Sequence, residues 1–403
     1  MSILSSKRIL LGVTGSIAAY KAADLASKLT QANAQVDVIL SGAAEKFITP
    51  LTFQSVTGRR AYTDADLWGN EAHVLHVGLG HTADLLVIAP CTANTIAKLA
   101  FGQADTLLTV TALASRSPLL VAPAMDAGMF DHPAIRENLD TLKKRGATII
   151  GPGEGHLASG LSGVGRMLET AEIIGYIRLI LGRNGRLAGK KIVITAGGTQ
   201  EPLDPVRVLT NRSSGKQGYA LAQAALDAGA QVTLITTPAS LTPPIGARLI
   251  SVETAKQMLD AVLDESAGSD ALIMAAAVAD FRPKNMADDK IKKESGIPQI
   301  ELEGTEDILK TVAANGSGRK RPHVIAGFAA ESRDLLENAA VKLKSKHLDL
   351  IAANDISASG AGFASETNRV TLLFADGRRE DLPLMSKNEV AEIIVGRVAD
   401  LLE

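Results

Sequence analysis

Residues 7–16, KRILLGVTGS, and residues 190–199, KKIVITAGGT, open in the same way. In each, two basic residues precede a short run of apolar and β-branched side chains, and a glycine-containing turn follows at once. An apolar run bounded like this reads as a buried strand. Its recurrence from residue 190 predicts two α/β domains, each beginning with its own first strand. Further runs support this outward from both starts: VDVIL, DLLVIAP, PLLVAPAM and ATIIGP in the first half, then QVTLITTP, ALIMAAAV, HVIAGFAAE and LDLIAAND in the second. Helical patterns separate them, such as Ala18, Ala22, Leu25 and Leu29 at i, i+4, i+7 and i+11. Strands alternating with helices predict parallel, doubly wound sheets, whose ligands sit beyond the carboxyl ends of the strands. NRVTLLFADG, near the end, reads as an added strand with a turn.

The boundary is predicted at LILGRNGRLAG, residues 179–189, where three glycines break the helical pattern TAEIIGYIRLIL. The domains are therefore read as 1–182 and 187–403. A chain of 403 residues with 46% hydrophobic content and a mean hydropathy of +0.13 has material for two cores. A net charge of −2 and a pI near 6.4 provide no overall field for nucleic acid or an anionic membrane surface. No apolar run approaches the roughly 20 residues needed to span a bilayer. The N-terminus turns glycine-rich too early for a signal peptide. With one cysteine, Cys91, there is no intramolecular disulfide and no cysteine-based zinc site. The cytoplasm is the expected compartment.

After the first strand, Gly15 and Ser16 open a helix and can present N–H groups and a hydroxyl to a phosphate, or simply form a capped turn. The full G-x-G-x-x-G spacing is missing, which disfavours a dinucleotide and a reading as a nicotinamide oxidoreductase with two Rossmann halves. APCTANTIAK, 89–98, repeats the arrangement with Thr92, Asn94 and Thr95 at a helix start. Together with HVGLGHTAD, APAMDAGMF and GEGHLASGLSGVGRM, these segments resemble the flavin-dependent cysteine decarboxylases, phosphopantothenoylcysteine decarboxylases in particular, over essentially the whole first half. The resemblance implies a flavodoxin-like domain with FMN as the electron sink that loss of CO₂ from a cysteine carboxylate requires. It implies FMN contacts at Gly15, Ser16, Ile17, Ser41, Thr92, Ala93, Asn94 and Ala124. The family's base matches His76, eight residues before Asp84, rather than His73 or His81.

Two positions depart from that family. Asp126 stands where Asn is common after PAM, and Ser159 where the flap commonly carries Cys. Two carboxylates about 4 Å apart at an effective dielectric of 20 repel by about 4 kcal/mol, so Asp126 is expected to be protonated when a substrate carboxylate binds beside it. Ser159 is a poorer proton donor than a thiol, and His156 is a candidate substitute. GEGHLASGLSGVGRM itself reads either as a glycine-rich surface loop or as a lid.

In the second half, TNRSSGKQG, 210–218, follows a strand and precedes a helical pattern. It is not a P-loop, because Thr210 occupies the position of the first P-loop glycine. Ser213, Ser214 and Gly215 near a helix start, with Lys216, can still hold a phosphate. DDKIKKES contains Lys290 and Lys292, which share one face if the segment is extended, with Lys293 opposite. Lys342 and Lys346 form an i, i+4 like-charge pair, with no acid one turn before Lys342 to relieve it. Clustered cations in an acidic chain point to a polyphosphate.

AGGTQEPLDPVRVLTNRSSGKQG, AAAVADFRPKNMADDKIKK, AGFAAES and LDLIAAND together resemble the phosphopantothenate cysteine ligases over nearly all of 187–403. Joined, the halves resemble the bacterial bifunctional proteins of coenzyme A biosynthesis. That resemblance implies a Rossmann-like second domain that uses CTP to activate 4′-phosphopantothenate as an acyl-cytidylate for attack by cysteine. Ser213, Ser214, Gly215 and Lys216 would hold the substrate phosphate and Asn211 would serve the acyl-cytidylate step. Lys290, Lys342 and Lys346 would meet the triphosphate, with Met274, Ala275, Ala276, Asp280, Asp307, Ile308 and Phe328 forming the rest of the CTP site. Magnesium would accompany the triphosphate, with no ligands assigned. The family builds its flavin site between subunits in trimers while the ligase half dimerises, which together imply a homo-oligomer such as a dodecamer. The alternative reading keeps the ligase and makes the first half a flavin-binding scaffold or regulatory module, because of Asp126 and Ser159.

Overall fold

The computed structural model describes residues 3–68, 72–292, 298–314, 321–331, 334–355 and 365–403, and forms two compact units that divide between Leu181 and Gly182. In the first unit the strands are β1 Arg8–Val13, β2 Gln35–Leu40, β3 Ala61–Tyr62, β4 Leu85–Cys91, β5 Leu119–Pro123, β6 Thr148–Ile149, β7 Gly153–His156 and β8 Ser162–Arg166. Its helices are α1 Ala19–Gln31, α2 Pro50–Thr57, α3 Ala72–Thr82, α4 Ala93–Phe101, α5 Leu107–Ala114, α6 Ala127–Asp131, α7 Pro133–Lys144 and α8 Thr170–Gly182. Six strands pair in parallel in the order β3-β2-β1-β4-β5-β6, and β7 and β8 form a separate antiparallel hairpin.

The alternation of side chains along a strand feeds two cores, one on each face of this sheet. Ile9, Leu11 and Val13 of β1 join α1 and α8 on one face, while Leu10 joins Ile96, Leu107 and Leu142 on the other. Cys91 is fully buried in the second core, and burial pushes its thiol pKa up, so it is an inert core residue.

The second unit contains β9 Lys191–Ala196, β10 Gln200–Pro202, β11 Val208–Thr210, β12 Gln231–Thr236, β13 Arg248–Ser251, β14 Ala271–Met274, β15 Phe281–Pro283, β16 Leu302–Gly304, β17 Val324–Glu331, β18 Leu350–Asp355, β19 Thr367–Asn368, β20 Val370–Phe374, β21 Arg379–Asp381 and β22 Met385–Ser386. Its helices are α9 Lys216–Asp227, α10 Ala255–Ser266, α11 Ile308–Ala314, α12 Leu335–Ser345 and α13 Lys387–Leu402. The sheet order is β13-β12-β9-β14-β17-β18-β20-β21. The first six strands are parallel; β20, the added strand expected from NRVTLLFADG, is antiparallel to both β18 and β21.

In both sheets the first strand is central and the winding reverses beside it, between β1 and β4 and between β9 and β14. The basic pairs noted in the sequence have a shared role at this point. Asp84, just before β4, accepts from Arg8 N at 2.8 Å and from Lys7 Nζ at 3.3 Å. Asp270, just before β14, accepts from Lys191 N at 2.8 Å and from Lys190 Nζ at 3.3 Å. The Asp84 and Asp270 N–H groups return bonds of 2.8 Å to Arg8 O and Lys191 O.

Burial alone would raise the Asp270 pKa, but the Lys191 N–H and the Lys190 ammonium reverse this and hold it below the ordinary carboxylate value. The resulting stabilisation is complete above the ordinary Asp pKa of about 3.9 and is lost as pH falls through the lower folded value. Asp270→Ala is expected to remove about 1.5–3 kcal/mol of charge-assisted hydrogen bonding. Hydrogen exchange at neutral pH should then speed up about tenfold to a hundredfold in β9 and β14 while β1 and β4 are unchanged.

Candidate functional site

Each switch point opens a cavity. In the first unit it measures 980 Å³ and is walled by the turns that follow β1, β2, β4 and β5 together with the β7–β8 hairpin. Thr14, fully buried, ties two of these turns together: its Oγ1 donates to Pro90 O at 2.7 Å and accepts from Thr92 N at 3.0 Å. Gly15 packs so close to the next turn that a Cβ there would lie 2.5 Å from Ala43 Cβ, so only glycine lets the backbone line the cavity here. Asp64 braces a third wall, accepting from Gly42 N at 3.3 Å and Leu107 N at 2.9 Å.

Gly15, Ser16, Ile17, Ser41, Thr92, Ala93, Asn94 and Ala124 all line this cavity, as do Asp126, His156 and Ser159. α4 has no side-chain cap at its start, which leaves first-turn N–H groups for a ligand or water, whereas at the start of α1 Ala18 N donates to Ser16 Oγ and Ala19 N to Ser16 O. The nearby apolar side chains of Ile17, Tyr20, Phe47 and Met129 are half or more exposed. A seat of close-packed glycine backbone, the uncapped start of α4 and exposed apolar side chains fits a flat cofactor that carries a phosphate.

The two unusual residues hold each other. Ser159 Oγ donates to Asp126 Oδ2 at 3.0 Å, while Asp126 Oδ1 caps α6 by accepting from Gly128 N at 2.9 Å. Both carboxylate oxygens are thus engaged within the chain. GEGHLASGLSGVGRM is also more ordered than a glycine-rich loop: it is a hairpin anchored by Met125 N donating to Gly165 O at 3.0 Å. Lys21, 7% exposed, secures its far end by donating to Met167 O at 3.3 Å and Glu169 Oε1 at 2.9 Å. The Lys21 bond is also the main cause that holds the Glu169 pKa below its ordinary value.

His76 is placed differently. It lies on α3, which packs on α5, and it is not among the residues lining the cavity. Its Nδ1 is buried without a hydrogen-bond partner. No local sequence signal could have shown this, because a helix's distance from a cleft depends on tertiary packing.

The second cavity, 530 Å³, is walled by residues of β14, β17 and β18 together with the 211–218 loop. It brings together Asn211, Ser213, Ser214, Gly215, Lys216, Met274, Ala275, Ala276, Asp280, Asp307, Ile308, Phe328, Lys342 and Lys346. Gly215 starts α9 at φ +75, a left-handed conformation that favours glycine, and α9 has no side-chain cap. Asn211 Nδ2 donates to Ala277 O at 3.3 Å and Val278 O at 3.1 Å, and Thr195 and Thr199 hydroxyls accept from Ala276 N and Ala279 N. These bonds hold the 275–279 turn against the phosphate-type loop.

Two expectations change. The Lys342–Lys346 pair is relieved from another element, since Lys346 Nζ lies 3.1 Å from Asp307 Oδ2. Lys290 is exposed and is not among the cavity-lining residues. Its segment is drawn aside by the buried Asp204, whose Oδ2 accepts from Ile291 N at 3.1 Å, and by Arg207, which donates to Ile291 O. Lys292 is likewise exposed, and Lys293 lies outside the described residues.

Several lining residues were not singled out from the sequence: Lys21, Asp64 and Arg166 in the first cavity, and Asn354, Asn368 and Lys387 in the second. Among the described residues, no three His, Cys, Asp or Glu side chains gather as a metal-ligand set, and no helix is long and apolar enough to cross a membrane.

The family model described as Flavoprotein matches residues 2–182, and that described as DNA/pantothenate metabolism flavoprotein C-terminal domain matches residues 187–402. The chain is 46% identical, over 402 residues, to the Coenzyme A biosynthesis bifunctional protein CoaBC of Bacillus subtilis (strain 168), covering 99% of this chain and 98% of that one. Among solved structures, it is similar to the C-terminal domain of a CoaBC protein at 41% identity, covering 54% of this chain and 98% of that one, with a TM-score of 0.46. It is also similar to a PPC decarboxylase mutant complexed with pantothenoylaminoethenethiol, at 39% identity, 43% and 97% coverage and a TM-score of 0.40.

Ser159→Ala is expected to free the hairpin tip from Asp126. Because the pair is exposed, the effect should be modest: a few-fold faster proteolytic cleavage within residues 157–161, with the rest of the digestion pattern unchanged.

Proposed function

The chain belongs to the family of bifunctional coenzyme A biosynthesis proteins, and on that premise we propose how its two cavities divide the work. It is a flavoprotein that acts in coenzyme A biosynthesis with decarboxylase and ligase activities. The observation that carries the division is the contrast between cavities: the exposed apolar side chains of Ile17, Tyr20, Phe47 and Met129 line the first beside Lys21, Lys98 and Arg166, whereas Lys216, Lys342, Lys346 and Lys387 line the second with no such exposed apolar group.

In the second unit, the carboxylate of 4′-phosphopantothenate attacks the α-phosphorus of CTP and pyrophosphate leaves. The cysteine amine then attacks the acyl carbon of the mixed anhydride, releasing CMP. Ser213, Ser214, Gly215 and Lys216 hold the substrate phosphate. Asn211, fixed against the 277–278 carbonyls, orients the acyl-cytidylate. Lys342 and Lys346 neutralise the triphosphate, which brings its own magnesium, and Asp307 sets the Lys346 ammonium. Met274, Ala275, Ala276, Asp280, Ile308 and Phe328 form the walls around the nucleotide. Lys290 reaches the transferring phosphoryl group once its segment turns inward from the Asp204 anchor.

In the first unit, Gly15, Ser16, Ile17, Ser41, Thr92, Ala93, Asn94 and Ala124 hold FMN. When bound, the flavin supplies the reversible two-electron sink that decarboxylation of the cysteinyl group needs. The hairpin excludes water, and Asp126 and Ser159 are held together at its tip. His76 is the base. Its absence from this chain's own cavity wall and its orphaned Nδ1 support a site completed by a second copy of the chain. The exposed Trp68, Phe101 and Leu113 provide apolar surface for such contacts. The cytoplasm is the proposed location.

The direct test supplies 4′-phosphopantothenate, cysteine and CTP to the purified chain and follows CMP and 4′-phosphopantetheine together. Accumulation of CMP without CO₂ release would favour the scaffold reading of the first half. His76→Asn is expected to lower decarboxylation about 10²- to 10⁴-fold with ligation intact, and Lys290→Gln to do the reverse. Gly15→Val should yield a colourless protein that still releases CMP, read from the visible spectrum and nucleotide analysis.

A further inference from the structure

A smaller cavity of 210 Å³ shares a wall with the second one, since Asn211, Ser213 and Ser214 line both. The rest of its lining is Gly198, Gln200, Thr210, Arg212 and Pro238. Gly198 brings the turn after β9 into close contact with the 211–213 loop: a Cβ there would lie 2.8 Å from Asn211 O and 3.4 Å from Ser213 Cβ. Gln200 and Thr210 stand directly opposite each other on the β10–β11 ladder, which puts both side chains on one face. Thr210 Oγ1 donates back to Thr199 O at 2.8 Å.

The amide of Asn211 has only one sense. Its Nδ2 donates to Ala277 O at 3.3 Å and to Val278 O at 3.1 Å. Carbonyls only accept, so the nitrogen must face them and Oδ1 must face away. Among the described residues nothing donates to that oxygen. Arg212, the next residue, is exposed and has no ion pair or hydrogen bond among the described residues, and no acidic side chain lines the cavity.

An unused acceptor and an unpaired guanidinium on consecutive residues complement an amine and a carboxylate carried by one carbon, which are the two polar groups of an α-amino acid. The volume agrees. It falls below the roughly 300–1,000 Å³ of sites for drug-sized ligands, so neither a nucleoside triphosphate nor the long phosphorylated acyl substrate fits inside.

We propose that this smaller cavity is the cysteine site of the ligase, an assignment that rests on the ligase reading above. Arg212 pairs with the α-carboxylate, Asn211 Oδ1 accepts from the amine, and the short thiol side chain lies toward Thr210 and Pro238. Because Asn211 belongs to the wall between the two cavities, the nitrogen it holds faces the mixed anhydride formed in the second. The amine attacks as the free base. Its nitrogen bonds to the acyl carbon as the carbon–oxygen bond to CMP breaks; CMP leaves with that electron pair, and the proton shed by the nitrogen passes to water.

The test uses the full chain and compares Arg212→Gln and Arg212→Lys with the parent, on L-cysteine and on cysteamine, which keeps the amine and thiol but has no carboxylate. Arg212→Gln is expected to raise KM for cysteine about tenfold or more, with KM for CTP and for 4′-phosphopantothenate within about twofold, and Arg212→Lys to restore part of the loss. The parent should prefer cysteine to cysteamine in kcat/KM by a similar factor, and Arg212→Gln should lose that preference. Pyrophosphate formed from CTP and 4′-phosphopantothenate without cysteine should be unchanged, which shows that the variant is folded. An unchanged KM for cysteine, or an equal loss on cysteine and cysteamine, overturns the proposal. A rise in KM for CTP or 4′-phosphopantothenate also overturns it and gives the cavity to a phosphate. Should the parent form no pyrophosphate, the ligase reading falls. Calorimetry with L-cysteine then decides the cavity alone, where binding weakened in Arg212→Gln upholds it and equal binding, or none, overturns it.

Discussion

An aspartate just ahead of the fourth parallel strand holds the first strand of each unit in place. Asp84 and Asp270 each accept from the main chain at the start of β1 or β9, return a bond to it, and draw in a lysine from the basic pair. This two-way clamp joins strands that are distant in sequence, and it sits where the winding of each sheet reverses. Crossovers on either side of that line leave in opposite directions, so the carboxyl ends of the strands cannot be covered there. Both cavities are consequences of that gap.

The gap alone would collapse or fill with loops, and small buried hydroxyls keep it open. Thr14 bridges the turns after β1 and β4, and Thr195 and Thr199 bridge the equivalent turns of the second unit. A threonine can satisfy two backbone groups from one oxygen without occupying the cavity itself, which a longer side chain would do. What distinguishes the two sites is what faces inward beyond this frame. The first presents exposed apolar side chains, Ile17, Tyr20, Phe47 and Met129, around the uncapped start of α4, suited to a flat cofactor with a phosphate tail. The second presents lysines from α9, α12 and α13, suited to substrates that carry several phosphates.

Much of this was legible in residues that act locally. The duplicated strand starts, the glycine turns and the SSGK loop are short-range signals, and nearly every cavity-lining residue inferred from them lies where the strands end. His76 and Lys290 are the instructive cases. Each belongs to a segment whose position is set elsewhere, His76 by packing of α3 on α5 and Lys290 by the Asp204 anchor. The like-charge strain inferred for Lys342 and Lys346 was misjudged for the same reason, since its relief comes from Asp307 on a separate part of the chain. Asp126 and Ser159, read as two independent departures, are one hydrogen-bonded unit.

The amino-acid order by itself determined the two doubly wound units, their first strands and the loops that face ligands, because periodicity, glycine and helix-start chemistry act over a few residues. Tertiary structure alone decided which distant side chains share a cavity. Lys387 reaches the SSGK loop only because a C-terminal strand pair and the Gln217–Asn368 amides fold it back there. Electrostatic fields and hydrogen-bond chains depend on distances of a few ångströms through space, and spacing along the chain does not encode those distances.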